Sequence, residues 1–329
     1  MTRHGATKGA KGVSGVTALR NKYGSFSTVS AGAGSVAVAG YVAGGGSSSG
    51  YISGVDKFAF PLDSKTTLSA TLTAAASGLS GFANSTVAGY VAGGNNGANI
   101  DRVDKFAFPA DSKTTISATL TSGRYETAAF ANSGVAGYVA GGIVSSRIDG
   151  VDKFAFPADS KTTLSATLTS SVNGAAGFAN SGVAGYVAGG VDSPLVSRLD
   201  KFAFPADSKT TISATLTSGR YYLAAFANSG VAGYVAGGQD SAHLNGVDKF
   251  AFPADSKTTL SATLTSARDG CTGFANSGVA GYVAGGNSSS GYISGVDKFA
   301  FVTDTKTTLS ATLTSARNQL ASFADSGLL

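Results

Sequence analysis

The chain has 329 residues and a net charge of +5; 46 residues are glycine, only 13% are charged and tryptophan is absent. The single cysteine, Cys271, excludes an intramolecular disulfide. No apolar run approaches the ~18 residues of a membrane-spanning helix, and the opening MTRHGATKGAKG lacks the apolar core of a secretory signal. We therefore expect synthesis in the cytosol.

Residues 1–37 precede a repeated region and hold five basic residues but no acidic one. The five are Arg3, Lys8, Lys11, Arg20 and Lys22. Subtracting them from the 24 lysines and arginines of the chain leaves 19, equal to the 19 acidic residues, so the rest of the chain is neutral. This composition fits either a flexible leader or a basic arm that attaches to a partner and becomes ordered when bound.

From residue 38 onward the sequence repeats itself at a nearly constant spacing. The hexapeptide GYVAGG begins at Gly40, Gly89, Gly137, Gly185, Gly233 and Gly281. The first spacing is 49 residues and the others are 48. A fixed period of this length predicts one supersecondary unit per repeat, each stacked on its neighbours.

Each unit contains four predicted strands, which we name a to d. In the third unit, strand b is VAGYVAGG (135–142), strand c is VDKFAF (151–156), a PADSK turn follows (157–161), strand d is TTLSATLT (162–169), and strand a ends in FANSG (178–182). Leu164 and Leu168 alternate with serine and threonine, which is the two-residue period of a half-buried strand. Proline and aspartate are typical of turns, and the double glycine allows positive φ.

Four strands in about 48 residues, repeated six times, indicate an all-β fold, a six-bladed β-propeller of four-stranded antiparallel blades over residues 38–329. The order Gly-Tyr-Val-x-Gly-Gly, then Val-Asp-x-Phe, resembles the kelch repeat, which closes its second strand with two glycines and has an aromatic residue in its third. The chain lacks the tryptophan that this family usually carries in strand d.

The two ends of the array predict how the ring closes. The segment RNQLASFADSG (317–327) matches RYETAAFANSG (124–134), so a strand a is left over at the C-terminus. We expect this strand to complete the first blade, because closure removes exposed sheet edges. A competing closure would use residues 32–36 as strand a of the first blade, but the C-terminal match is much better.

Differences between the repeats concentrate in the loop between strands b and c and in the connection from d to the next a. In an antiparallel meander both connections lie at the same end of the strands, so we expect one variable face, a place where repeat proteins often bind ligands. Its candidate binding residues are Tyr51, Asn95, Asn96, Arg102, Arg124, Tyr125, Arg220, Tyr221, Tyr222, Gln239, Asp240, His243, Arg268, Tyr292 and Asn318. Drift on an unused face is the alternative. Tyrosine and arginine among small polar residues are typical of adaptable binding surfaces.

The sequence lacks the residues that copper-oxidase and sialidase-like propeller enzymes need. Two isolated histidines and one cysteine predict no metal site, and the one glutamate, Glu126, cannot supply the acids of a sialidase-like centre. The aspartates of VDKF and PADSK recur in every repeat, so we interpret them as turn caps and lysine partners. We expect neither enzymatic activity nor a cofactor.

The repeats, the small-residue composition and the basic arm are similar to those of kelch-like propellers among the virion-associated proteins of tailed phages. This resemblance implies an arm held by other virion proteins and a variable face directed towards host surface glycans or proteins. The protein would be made in the host cytoplasm and located in the virion, with nucleic acid not expected as a partner. The alternative is an intracellular, cytoplasmic kelch-like adaptor that binds protein partners.

Overall fold

The computed structural model describes residues 38–325 and confirms the six-bladed β-propeller. The residues of the expected basic arm, 1–37, lie outside the described residues, as do 32–36 of the competing closure and residues 326–329. No helix within the described range has the length and apolar character needed to cross a membrane.

The strands, numbered in chain order, form six antiparallel sheets of four, and each sheet runs from an inner strand a to an outer strand d. Blade 1 contains β28 (Ala321–Asp325), β1 (Ala39–Ala43), β4 (Val55–Ala59) and β5 (Ser64–Thr67). Blade 2 contains β6 (Ser80–Asn84), β7 (Ala88–Ala92), β8 (Val103–Ala107) and β9 (Ser112–Thr115). Blade 3 contains β10 (Ala128–Asn132), β11 (Ala136–Ala140), β12 (Val151–Ala155) and β13 (Ser160–Thr163).

The second half of the ring repeats this arrangement. Blade 4 contains β14 (Ala176–Asn180), β15 (Ala184–Ala188), β16 (Leu199–Ala203) and β17 (Ser208–Thr211). Blade 5 contains β18 (Ala224–Asn228), β19 (Ala232–Ala236), β20 (Val247–Ala251) and β21 (Ser256–Thr259). Blade 6 contains β22 (Thr272–Asn276), β23 (Ala280–Ala284), β26 (Val296–Ala300) and β27 (Thr305–Thr308). Two short hairpins are added by β2 (Gly46–Ser47) with β3 (Gly50–Tyr51) and β24 (Asn287–Ser288) with β25 (Gly291–Tyr292).

The C-terminal strand closes the ring as predicted. Strand β28 pairs antiparallel with β1, and Phe323 lies opposite Tyr41. The a strands of neighbouring blades contact one another around the whole ring, including β22 with β28 and β28 with β6. Blade 1 is therefore built from residues at both ends of the described chain.

Strand d is shorter than predicted. In blade 3 it ends at Thr163, and residues 164–169 leave the sheet although Leu168 is buried as the alternation indicated. The reason lies at Thr169, whose backbone N–H and hydroxyl both donate to Asp200 of the next blade, at 2.8 and 2.6 Å. Leu164 N–H still donates to Val151 O of strand c at 2.9 Å, so the segment begins on its own blade and ends on the neighbouring one.

Neighbouring blades meet through an aromatic ring placed over a glycine. A Cβ on Gly137 of strand b would lie 2.0 Å from the ring of Phe82, which comes from strand a of the preceding blade. Phe82 also stacks on Tyr90, with ring centroids 5.0 Å apart, and on Phe154 of the next blade at 5.9 Å. The first glycine of GYVAGG therefore makes room for the main apolar contact between blades.

A second contact between blades is polar and uses the PADSK turn. The carboxylate of Asp207 in blade 4 accepts hydrogen bonds from Tyr138 Oη at 2.7 Å and Lys153 Nζ at 2.6 Å, both from blade 3. Equivalent aspartate–lysine pairs join all six neighbouring blades. The predicted pairing of aspartate with lysine is present: the PADSK aspartates pair with a lysine of the preceding blade, whereas the VDKF aspartates pair within their blade, as Asp152 does with Lys161 at 3.6 Å.

We predict that Phe323→Ala lowers the free energy of unfolding by about 3–5 kcal/mol, the usual cost of deleting a buried phenylalanine. Its ring is 3% exposed and lies 4.8 Å from Tyr41 and 5.7 Å from Phe106, measured between centroids. Chemical denaturation would measure the change. The control Val302→Ala removes a side chain that is 91% exposed and should stay within about 0.5 kcal/mol of the wild type. Equal effects of the two substitutions would contradict closure by β28.

Candidate functional site

The two variable windows of each blade contact each other on one face of the propeller, as predicted. Isolated β-bridges join the d-to-a connection that leads into a blade to the b–c loop of that blade, for example Tyr125 to Ile143 and Tyr221 to Gln239. The uniform a–b turns lie at the other end of the strands, where Gly134 N–H donates to Asn84 Oδ1 at 2.9 Å across two blades. We call the side that carries both windows the variable face.

Two tyrosines of the variable face are well exposed. Tyr51 and Tyr292 are 49% and 41% exposed and end hairpins of identical sequence, SSSGYISG, at 47–54 and 288–295. In each hairpin the first serine accepts a hydrogen bond from a backbone N–H two residues on. The hairpins belong to blades 1 and 6, which are neighbours because the ring closes. Residues 241 positions apart in the sequence therefore form a pair of matching aromatic projections.

Most of the other predicted residues lie on the same face but are only partly exposed. Tyr221 packs against Tyr222, with ring centroids 4.7 Å apart, and its hydroxyl donates to Gln239 Oε1 at 3.1 Å. Asn96 is exposed, whereas the residues with intermediate exposure are Asn95, Arg102, Tyr125, Tyr221, Tyr222, Gln239, Asp240, His243 and Asn318.

Three predicted binding residues, Arg124, Arg220 and Arg268, are instead buried structural groups. They are 2–3% exposed, and each guanidinium pairs with the aspartate of VDKF in its own blade. Arg220 Nη2, for example, lies 2.9 Å from Asp248 Oδ2. The interpretation of these arginines as ligand contacts was wrong, because each side chain is buried within the blade and pairs there with a buried aspartate. Arg317 plays the same part in blade 1.

Burial alone would raise the pKa of Asp152, but hydrogen bonds from Thr121 and Thr163 and the charge of Arg124 outweigh burial and lower it. The pKa values of Asp56, Asp248 and Asp297 are lowered in the same way, and that of Asp104 is lowered by its threonine hydrogen bonds and the charge of Lys113. A carboxylate whose pKa is lower in the folded state stabilises the fold fully above its unfolded pKa, near 4. That stabilisation is lost as the pH falls through the folded pKa.

We therefore predict that the urea midpoint falls as the pH drops below about 4, the unfolded pKa, because the five aspartates are then protonated more readily in the unfolded chain than in the fold. Between pH 5 and pH 7 these groups should contribute no pH dependence. High salt should change the acid-induced loss little, because buried pairs are screened less than surface pairs. A midpoint that stays constant down to pH 2 would contradict the structural role assigned to these aspartates.

At the centre of the variable face the six d-to-a connections form a closed ring of backbone hydrogen bonds. Each N–H donates to the carbonyl oxygen of its counterpart in the preceding blade, over 2.7–2.9 Å. The six residues are Gly78, Glu126, Gly174, Tyr222, Gly270 and Gln319, all with φ between 53° and 66°. Glycine alternates with a larger residue around this ring. At Gly174 a Cβ would lie 2.9 Å from the ring of Tyr222, so the glycine provides space for its neighbour.

The three larger residues meet at the propeller axis. Glu126 Oε1 accepts hydrogen bonds from Tyr222 Oη at 2.6 Å and Gln319 Nε2 at 3.1 Å. Glu126 belongs to blade 3, whereas Tyr222 and Gln319 belong to blades 5 and 1. Since no two of these blades are neighbours, their side chains meet only across the axis. We call Glu126, Tyr222 and Gln319 the axial cluster.

A polar network extends from the axial cluster to the surrounding loops. Asn173 Nδ2 donates to Glu126 Oε2 at 2.5 Å, and Arg147 Nε donates to Asn173 Oδ1 at 2.9 Å. Burial, the nearby Glu126 carboxylate and their hydrogen bond raise the pKa of Tyr222 above its usual range. The phenol therefore stays protonated and donates at neutral pH.

Sequence comparison included Tyr222 among the face residues but missed Glu126, Asn173 and Gln319 as members of a site. The sequence does contain a signal of this site. The d-to-a windows of alternate repeats resemble each other more closely than those of successive repeats. Gly78, Gly174 and Gly270 mark one set, and the lone glutamate lies in the other.

A cavity of about 110 Å³ lies on the axis and is lined by the axial cluster and the inner strands. Its wall includes the hydroxyls of Ser80, Thr127, Thr272 and Ser322, of which Thr127 Oγ1 lies 2.8 Å from Ser80 Oγ. A space of this size holds several water molecules or a small polar group. Cys271 also lines it, and burial raises the pKa of its thiol to about 11.

His243 and Asp269 form a separate partly buried pair on the variable face, with Nδ1 and Oδ1 3.7 Å apart. Burial raises the pKa of Asp269, and the nearby His243 opposes this only in part. Across residues 38–325, no three histidine, cysteine, aspartate or glutamate side chains are grouped so that they could hold a metal ion. No protein-family model and no curated protein matches the chain.

Proposed function

We propose that this protein is a non-catalytic binding propeller of a virion, attached through its basic N-terminal arm and binding host surface glycans with the variable face. The observation that carries the proposal is the pair of exposed tyrosines on matching hairpins, Tyr51 and Tyr292. They lie on the face where the repeats differ, whereas the turns of the opposite face are nearly identical in every blade.

The chemistry of the hairpins supports glycans as ligands. A tyrosine ring presents a flat apolar face with a polar tip and loses little conformational entropy when it binds. The surrounding serines, asparagines and glycines provide hydrogen-bond donors and acceptors for sugar hydroxyls. Two identical projections in neighbouring blades suit a ligand with a repeated chemical unit, and simultaneous contact by both would increase the apparent affinity.

The attachment to a virion rests on sequence, since the arm lies outside the described residues. Five basic side chains without an acid between them favour an acidic partner surface. The small-residue repeats and the arm resemble those of kelch-like proteins on phage particles.

For glycan binding we predict that Tyr51→Ala and Tyr292→Ala each weaken retention on a host-surface glycan array about tenfold, equivalent to about 1.4 kcal/mol. The double variant should lose more than either single one. Leu62→Ala is the matched control, because this side chain is 85% exposed in a c–d turn of the opposite face. Unchanged binding in the double variant, or capture of cellular proteins by the same tyrosines instead of glycans, would overturn the glycan proposal and favour an adaptor.

For attachment we predict that the wild-type protein co-purifies with phage particles, as measured by mass spectrometry of virions separated on a density gradient. Replacing Arg3, Lys8, Lys11, Arg20 and Lys22 with glutamine should reduce its recovery in the particle fraction. The soluble yield provides the control for expression. Recovery that is unaffected by the five substitutions would show that the arm does not anchor the protein.

A further inference from the structure

The axial cluster shows that three blades differ from the other three at one equivalent position. We call the closed ring of backbone hydrogen bonds through residues 78, 126, 174, 222, 270 and 319 the axial ring. All six of its residues have a left-handed backbone, which glycine adopts freely and other residues adopt at a cost of order 1 kcal/mol or more. Blades 2, 4 and 6 have glycine there, so the fold itself requires no side chain. Glu126, Tyr222 and Gln319 have φ of 57°, 55° and 53°, and strained residues of this kind cluster at functional sites.

Among residues 38–325, the charge of Glu126 has no cationic partner. Its carboxylate accepts hydrogen bonds from the neutral groups of Tyr222, Gln319 and Asn173. No lysine, arginine or histidine of the described chain lies within ion-pair distance, in contrast to the paired aspartates between the blades. A carboxylate has about four acceptor positions, and these contacts use three. The axis therefore presents a negative charge with remaining capacity for a donor.

The size and composition of the cavity restrict the cation that fits. A divalent metal prefers six or more oxygen ligands and several carboxylates, whereas the axial cluster has a single carboxylate. A guanidinium is planar and needs acceptors arranged for its fork. A primary ammonium is compact and donates three hydrogen bonds. The Glu126 carboxylate, the Gln319 amide oxygen and the hydroxyls of the wall are acceptors of the right kind, and about 110 Å³ accommodates such a group.

We propose that the axial mouth of the variable face binds a primary ammonium group, with Glu126 as its counter-ion. The group could be carried by an amino sugar with a free amine or by a lysine side chain. This inference rests on the proposed binding role of the variable face and adds a second subsite, separate from the tyrosine hairpins, that selects cationic ligands.

The experiment measures binding of the full-length protein to four probes by isothermal titration calorimetry. The probes are a glucosamine hexamer, its fully N-acetylated counterpart, a short lysine peptide and the same peptide acetylated on Nε. We expect at least one amine to bind and its acetylated form to bind at least tenfold more weakly. Whether the hexamer or the peptide binds identifies the source of the ammonium group. Equal binding of amines and acetylated forms, or no binding of either amine, would overturn the proposal.

Glu126→Gln tests the counter-ion, because it removes the charge with little change in shape. We expect amine affinity to fall at least tenfold, while binding of neutral glycans at the tyrosine hairpins is retained. Asp101→Asn is the charge-matched control from an exposed b–c loop of the same face. If Glu126→Gln does not fold, the comparison of amine with acetylated probe on the wild type still decides. Loss of glycan binding in Tyr51→Ala with retained amine binding would separate the two subsites.

Discussion

The structure depends on the contact between a phenylalanine of one blade and a glycine of the next. Phe82 occupies the space where Gly137 has no side chain, and the same arrangement recurs at Gly40 with Phe274 and at Gly89 with Phe323. Because this contact sets how closely blades approach, any side chain on strand b at that position would push the sheets apart. Six repetitions of one close contact produce a ring, and the aspartate–lysine pairs at the outer turns reinforce the same blade spacing.

Much of this architecture could be predicted from the sequence, because the features that determine it are repeated. The 48-residue period, the leftover strand at 321–325 and the parity of an antiparallel meander are sufficient for blade number, closure and the placement of the variable windows. The length of strand d was not predictable from alternation. Thr169 donates hydrogen bonds to an aspartate of the neighbouring blade. A single repeat viewed alone contains no information about that partner.

The candidate site was less predictable, for a related reason. Arginine within a variable window is a reasonable surface residue, but Arg124 and Arg220 reach inward to neutralise buried aspartates. Ala76 and Val172 occupy the equivalent position in blades 2 and 4 and are buried as well. Glu126 was noticed in the sequence only as an isolated acid. Its partners, Tyr222 and Gln319, lie 96 and 193 residues away, and only the ring brings them together.

Alternation around the axis has a consequence for any molecule that approaches it. The six blades are related by a nearly sixfold rotation. Because glycine alternates with a larger residue in the axial ring, the symmetry at the axis is at most threefold. Glutamate, tyrosine and glutamine then remove the threefold relation as well, since each is chemically distinct. A ligand centred on the axis therefore matches this surface in only one orientation about the axis. Three side chains thus distinguish blades that are otherwise nearly interchangeable.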